Sequence, residues 1–291
     1  MSLPPEILKK VKLLELATRK LVNNRFAGDY HSAFKGQGMT FAEFREYVPG
    51  DDIRAISWPL TARTGKPYIK IFDEERENCL MLAVDVSGSS DFGTGEYFKG
   101  DVMAHIAALL SFSAVRNNDP TGLVLFSDQV EHYVPPKKGR GHVLRILRDL
   151  YYFKPKSRGT RVASALEFLQ GVLKKRSHVF IISDFLDQGF DQALRMMGKR
   201  HDTVAVVVQD QAEVEIPNLG LIDLQDPETG EVVTVDTGSR AFRRDYSEYK
   251  RKERAATEEE LKRAQVDRID IKSNEDFVDP LIVFFKKRAR R

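Results

Sequence analysis

The chain has 291 residues, 42% of them hydrophobic and 31% charged, a soluble globular composition with enough length to bury a core without covalent staples. Its single cysteine, Cys79, excludes an intrachain disulfide and any multi-cysteine zinc site, and fits a reducing, cytoplasmic setting. The formal net charge of +3 is too small to argue for nucleic acid.

Residues 1–24 lack the uninterrupted apolar core and small-residue cleavage site of a secretory leader. Residues 4–24 read instead as an amphipathic helix, with Ile7, Leu8, Val11, Leu14, Leu16 and Leu21 near helical spacing. Pro4 and Pro5 suit its first turn. Residues 25–38 hold Gly28, Gly36 and Gly38 and read as a loop. Residues 39–48 are aromatic and apolar, Pro49-Gly50-Asp51-Asp52 is a turn signal, and residues 68–72 alternate as a strand does. The charges around Asp51 and Asp52 are expected to make an Asx-type turn. Glu43, Arg45 and Arg54 are expected to join them in salt bridges holding a small lobe to the main domain. Trp58 is expected in the core.

A different rhythm begins at Cys79. Leu80-Met81-Leu82-Ala83-Val84 is a continuous apolar run that stops at Asp85, as in a strand buried on both faces. A helical pattern follows over residues 96–117, then the run Leu123-Val124-Leu125-Phe126 and a strand near 130–134. Helices are expected over residues 141–152 and 160–175. Val179-Phe180-Ile181-Ile182 is again apolar and stops at Ser183-Asp184. A helix over 190–198 leads to the run of residues 204–208. Apolar runs alternating with helices mark a parallel sheet covered on both faces. Residues 219–235, turning at Pro227-Glu228-Thr229-Gly230, read as a hairpin. A charged helix over 240–265, a strand at Ile269-Asp270-Ile271 and a helix over 277–287 complete the chain. Positive charge gathers at its end in Lys286, Lys287, Arg288, Arg290 and Arg291, read as a solvated tail. The sharper reading of that tail is a foot for a membrane surface or an acidic partner.

The expected fold class is therefore α/β, a doubly wound, mostly parallel sheet with a small N-terminal β-containing lobe. Residues 1–76 would form the N-terminal helix and lobe, and residues 77–291 the α/β domain, with the hairpin in 213–238 a candidate to pack on the lobe.

The chemistry-bearing element is Asp85-Val86-Ser87-Gly88-Ser89, at the carboxyl end of the first buried strand, the edge where open α/β sheets bind ligands. This spacing puts three oxygen side chains on one turn, and such hard oxygens suit Mg²⁺, Mn²⁺ or Ca²⁺. Gly159-Thr160 opens a helix, and Asp184 follows its strand as Asp85 follows the first. If those strands are neighbours, Asp85, Ser87, Ser89, Thr160 and Asp184 converge from three loops. Taken singly, each has a plainer role: a serine- and glycine-rich turn for the first three, a helix N-cap for Thr160.

This pattern resembles the metal-ion-dependent adhesion site of von Willebrand factor A domains. The upstream segment Arg45-Glu46-Tyr47, Gly50-Asp51-Asp52 and Arg54, with Ser57-Trp58, Ala62-Arg63, Lys70-Ile71-Phe72 and Glu74-Glu75-Arg76, resembles the DUF58 family. These are bacterial proteins usually found beside MoxR-type AAA+ ATPases, and the resemblance covers nearly the whole chain. It implies hydroxyl ligands from Ser87, Ser89 and Thr160, with Asp85 and Asp184 acting directly or through metal-bound water. It also implies an open metal position for a carboxylate from a client protein, and a role as adaptor to the ATPase rather than as an enzyme. Ser90 departs from the bulkier apolar residue that relatives often carry, which removes no expected ligand.

Enzyme readings fit less well. Ser87 stands where haloacid-dehalogenase phosphatases carry a second aspartate. Gly95-x-x-x-x-Gly100 is followed by Asp101 rather than a phosphate-binding lysine. Neither a dinucleotide fingerprint nor a Gly-x-Ser-x-Gly elbow is found. A metal-assisted phosphohydrolase is the alternative, with membrane or nucleic-acid binding through the basic tail as a third class.

Overall fold

The structure, a computed structural model, describes residues 39–74 and 78–290, together with Tyr30 and Ala33. The helix expected over residues 4–24 lies outside them, as does most of the loop expected over 25–38. The chain divides into two units. Phe34–Asn78 forms the smaller, while Tyr30 and Ala33 group with Cys79–Arg291 in the larger.

In the smaller unit, strand β1 (Met39–Glu46) pairs antiparallel with β2 (Tyr68–Glu74). Between them lie a 3-10 turn over Ile53–Ala55 and helix α1 (Trp58–Thr64). The carboxylate of Asp51 accepts from the Val48 N–H and the Arg45 guanidinium, each at 2.9 Å. Asp52 accepts from the Arg54 N–H and so caps the 3-10 turn, which is the Asx-type geometry expected. Trp58 corrects the expectation of a core residue, because its side chain is 68% exposed. The reason is size: α1 buries no residue, and two strands with one short helix have too little apolar surface to enclose an indole.

The larger unit is built on six strands in the order β10-β7-β6-β3-β4-β5. They are β3 (Leu80–Asp85), β4 (Thr121–Phe126), β5 (Val130–Lys137), β6 (His178–Ser183), β7 (Asp202–Gln209) and β10 (Asp267–Lys272). Every pairing is parallel except that of β5 on β4. Because side chains alternate across a strand, the continuous apolar runs serve two cores at once. Met81, Ala83, Val179, Ile181, Ala205 and Val207 face one way. There they meet α4 (Val162–Val172), α5 (Asp191–Arg200) and the end of α7 (Arg240–Arg263). On the other face lie α2 (Lys99–Arg116), α3 (Arg140–Tyr152) and α8 (Val278–Arg288), where the Phe285 ring lies tilted against Phe180, centroids 6.3 Å apart. This is the doubly wound, mostly parallel α/β class expected.

Four further features complete the larger unit. A one-turn helix, α6 (Gln211–Val214), follows β7, and a two-stranded hairpin, β8 (Leu221–Gln225) with β9 (Val232–Asp236), precedes α7. The margins of the six-stranded sheet are β5, which contains Pro135 and Pro136, and β10, which carries Arg268, Asp270 and Lys272. The basic end is more than a solvated tail. Arg288 belongs to α8, and its guanidinium bonds Asp202 and, at 3.0 Å, Asp267, fastening that helix to the starts of β7 and β10. Among the described residues no helix is long and apolar enough to cross a membrane.

Phe180 is fully buried in a central strand, so Phe180→Ala should cost about 3–5 kcal/mol. The shift in urea-unfolding midpoint measures this, and a loss below about 1 kcal/mol would mean that the two-faced core is not the source of stability.

Candidate metal centre

Since β3 and β6 are parallel neighbours in register, with Val84 opposite Ile182, their carboxyl ends adjoin. Asp85 ends one strand and Ser183-Asp184 ends the other, and both aspartates are 2% exposed. The chain then turns through a 3-10 segment over Gly88–Asp91, which leaves Ser87 and Ser89 buried as well.

The Asp85 carboxylate is held from two sides. One oxygen accepts from the Ser87 N–H at 2.9 Å and the other from the Ser183 hydroxyl at 2.6 Å. The Ser87 and Ser89 hydroxyls lie 3.1 Å apart. Ser90, the departure noted from the family pattern, donates its hydroxyl to the Ser87 carbonyl at 2.7 Å and tightens the same turn. Burial, and then the charge of Asp184, push the Asp85 carboxyl up to about 7, against the hydrogen bonds from Ser183 and Ser87 that pull it down.

Asp184 has a different partner. The Lys99 ammonium, fully buried at the start of α2, lies 2.8 Å from Asp184 and 2.5 Å from Glu213 of α6. Burial alone would pull this lysine down, but the two carboxylates outweigh it and hold it above its ordinary value. Burial raises Glu213, with Lys99 opposing.

Thr160 stands on the loop ahead of α4. That loop reaches the turn through the Arg158 carbonyl, which accepts from the Gly88 N–H at 2.8 Å. The Thr160 hydroxyl donates to Glu228, at the tip of the β8–β9 hairpin, at 2.5 Å. The structure thus joins Asp85, Ser87 and Ser89 in one bonded turn, sets Asp184 beside them, and brings the Thr160 loop against that turn. Beside it opens a cavity of about 410 Å³, lined by Asp85, Ser87, Gly88, Phe98, Tyr151 and Arg158.

Among the described residues no group of three or more His, Cys, Asp or Glu side chains is placed to hold a metal ion, so an ion here would rely on hydroxyls. The donor chemistry fits a hard divalent cation: Asp85 is a buried carboxylate with no cationic partner among its hydrogen bonds, and serine hydroxyls adjoin it.

A family model described as "Protein of unknown function DUF58" matches residues 43–256. The chain belongs to the DUF58 family. An uncharacterized protein of Mycobacterium tuberculosis (strain ATCC 25618 / H37Rv), Rv1480, is 29% identical to it over 289 residues, 98% of this chain and 91% of the relative. The conserved hypothetical protein BatB from Bacteroides thetaiotaomicron shares the fold, with a TM-score of 0.50 at 14% identity over 74% of this chain and 100% of that one. An aerotolerance-related membrane protein from Bacteroides fragilis NCTC 9343 gives 0.47 at 14% identity over 73% of this chain and 98% of that one.

In this DUF58 chain the sequence reading passes over Lys99, Ser183, Glu213 and Glu228. Lys99 lies inside the Gly95-x-x-x-x-Gly100 segment read only as a failed phosphate loop. Its one signal is a lysine just before a long uncharged helical stretch. Glu228 reads as an ordinary turn residue, and nothing local says where the turn lands.

The raised Asp85 carboxyl has a consequence for pH. An unfolded aspartate loses its proton near about 4, whereas this one keeps it to about 7 when folded. Between those values the folded state binds more protons, so its stability falls as pH rises through the window and levels off above it. Urea midpoints of metal-free wild type should therefore drop from pH 5 to pH 8 by more than those of Asp85→Asn, and equal drops would clear Asp85 of the effect.

Proposed function

We propose that this DUF58 protein is a divalent-cation-dependent protein-interaction module. In this reading Ser87, Ser89 and Thr160 hold Mg²⁺ or Mn²⁺ through their hydroxyls, with Asp85 and Asp184 acting directly or through water. When bound, the ion supplies an electrophilic position that an acidic side chain of a client protein completes. The observation that carries the reading is the Asp85 carboxylate, buried beside a second carboxylate and bonded only to neutral donors. A buried charge so placed is costly unless a cation meets it. Lys99 takes up the charge of Asp184 and Glu213. An ion at Asp85 would then face few uncompensated anions and keep its appetite for a carboxylate.

The chain would act in the cytoplasm as adaptor for a MoxR-type AAA+ ATPase in chaperone-like assembly of complexes, with the ATPase supplying the energy. Membership of DUF58 supports this partner. The phosphohydrolase alternative has less behind it, because Ser87, standing two residues after Asp85, carries no carboxyl to serve as acid and base.

Calorimetric titration of Mg²⁺ and Mn²⁺ into metal-free protein tests the ion. Binding is expected in wild type and should weaken at least about 100-fold in Asp85→Ala/Ser87→Ala, while equal traces from the two proteins would overturn the metal reading. The partner is tested separately, by capture from the native host on immobilised wild type with Mg²⁺ or with EDTA. An AAA+ ATPase should be retained only with Mg²⁺, and its absence from both eluates would remove the adaptor role.

A further inference from the structure

The β8–β9 hairpin has a docked tip, exposed arms and a fixed base. At the tip, Asp226 accepts from the N–H groups of Glu228 and Thr229 at 2.8 Å each, and Gly230 takes the left-handed conformation at φ 77°. This holds Glu228 in a set position. Its carboxylate takes both donors of Thr160, the hydroxyl at 2.5 Å and the N–H at 3.3 Å. The hairpin backbone also sits hard against the serine turn. A Cβ on Gly88 would lie 2.3 Å from the Pro227 carbonyl oxygen, so the glycine of Asp85-Val86-Ser87-Gly88-Ser89 makes room for the tip.

This contact is not explained by the needs of α4. That helix begins at Val162, whose N–H is already taken by Asp187 at 2.8 Å. The arms are exposed, Leu221 at 75% and Val233 at 52%, and a two-stranded hairpin with so little cover is marginal by itself. The base is anchored by buried Thr237, whose hydroxyl accepts from the Leu219 N–H at 2.9 Å and donates to the Gly220 carbonyl at 2.7 Å. A fixed base under exposed arms lets the tip leave and return without disturbing the sheet.

We propose that the hairpin is a built-in ligand of the metal site, with Glu228 standing at Thr160 where a client's carboxylate would dock. This rests on the metal reading above, and it adds a carboxylate that the family pattern of five residues does not contain. Being tethered, Glu228 acts at a high effective concentration, of millimolar order for a short link. A client therefore binds only if its own acidic residue outcompetes the tip, and the tip screens out weak carboxylates.

The test uses the full-length chain, Mg²⁺ alone as probe, and three proteins: wild type, Glu228→Gln and Ser87→Ala. Glu228→Gln keeps the shape of the tip and removes its charge. Two quantities are read, Mg²⁺ affinity by calorimetry and amide hydrogen exchange across residues 221–236. If Glu228 is a ligand, Glu228→Gln binds Mg²⁺ at least about tenfold more weakly than wild type, and Mg²⁺ slows exchange in the hairpin of wild type but not of the variant. Unchanged affinity, with hairpin exchange indifferent to Mg²⁺ in both, would overturn the built-in ligand and leave the metal reading standing. Loss of Mg²⁺ binding in Ser87→Ala, set against that result, tells the two apart, whereas no binding in wild type would sink both.

Discussion

Asp85 and Asp184 are buried side by side at the ends of two neighbouring strands, and the rest of the site is arranged around that repulsion. Two carboxylates removed from water so close together cannot both stay charged without help. Help comes to one of them as the Lys99 ammonium, carried in on the first turn of α2, and the same ammonium reaches α6 through Glu213. Help to the other comes as a serine hydroxyl and a backbone amide. The two are met differently: Asp184 faces the Lys99 ammonium, whereas Asp85 is bonded only by neutral donors.

Much of this was legible in the order of residues. Strands buried on both faces must be apolar throughout, so Leu80 to Val84 and Val179 to Ile182 announce themselves, and the aspartate that ends each run stands out against it. Parallel pairing then brings the two ends together without any further signal. What sequence could not supply is contact across distance. Lys99 sits 85 residues from Asp184, and Glu228 sits 68 from Thr160. Their roles depend on which way one side chain of a helix turn points, and on where a hairpin lands. Neither is a matter of periodicity. Trp58 shows the opposite failure. A large aromatic suggests a core, but in its small unit the helix that carries it buries none of its residues. In sequence Arg288 belongs to a charged run, and only its partners Asp202 and Asp267 distinguish a clamp from a tail.

The serine turn serves two masters at once. Ser87 and Ser89 lie on it with their hydroxyls 3.1 Å apart, while Gly88 between them leaves room for the Pro227 carbonyl. The glycine of so short an element is easily put down to turn geometry. Here it records a second chain segment pressed against the first, and the spacing of hydroxyls and the seat for the hairpin are parts of a single solution.

The margins of the main sheet have a consequence of their own. β5 ends one side with two prolines, which have no N–H to offer, and β10 ends the other with Arg268, Asp270 and Lys272 alternating along it. Prolines and charges are what blunt a strand edge against continuation. Among the described strands, the sheet is thus a poor template for growth, whether by another copy stacking into a fibril or by an extended peptide zipping on.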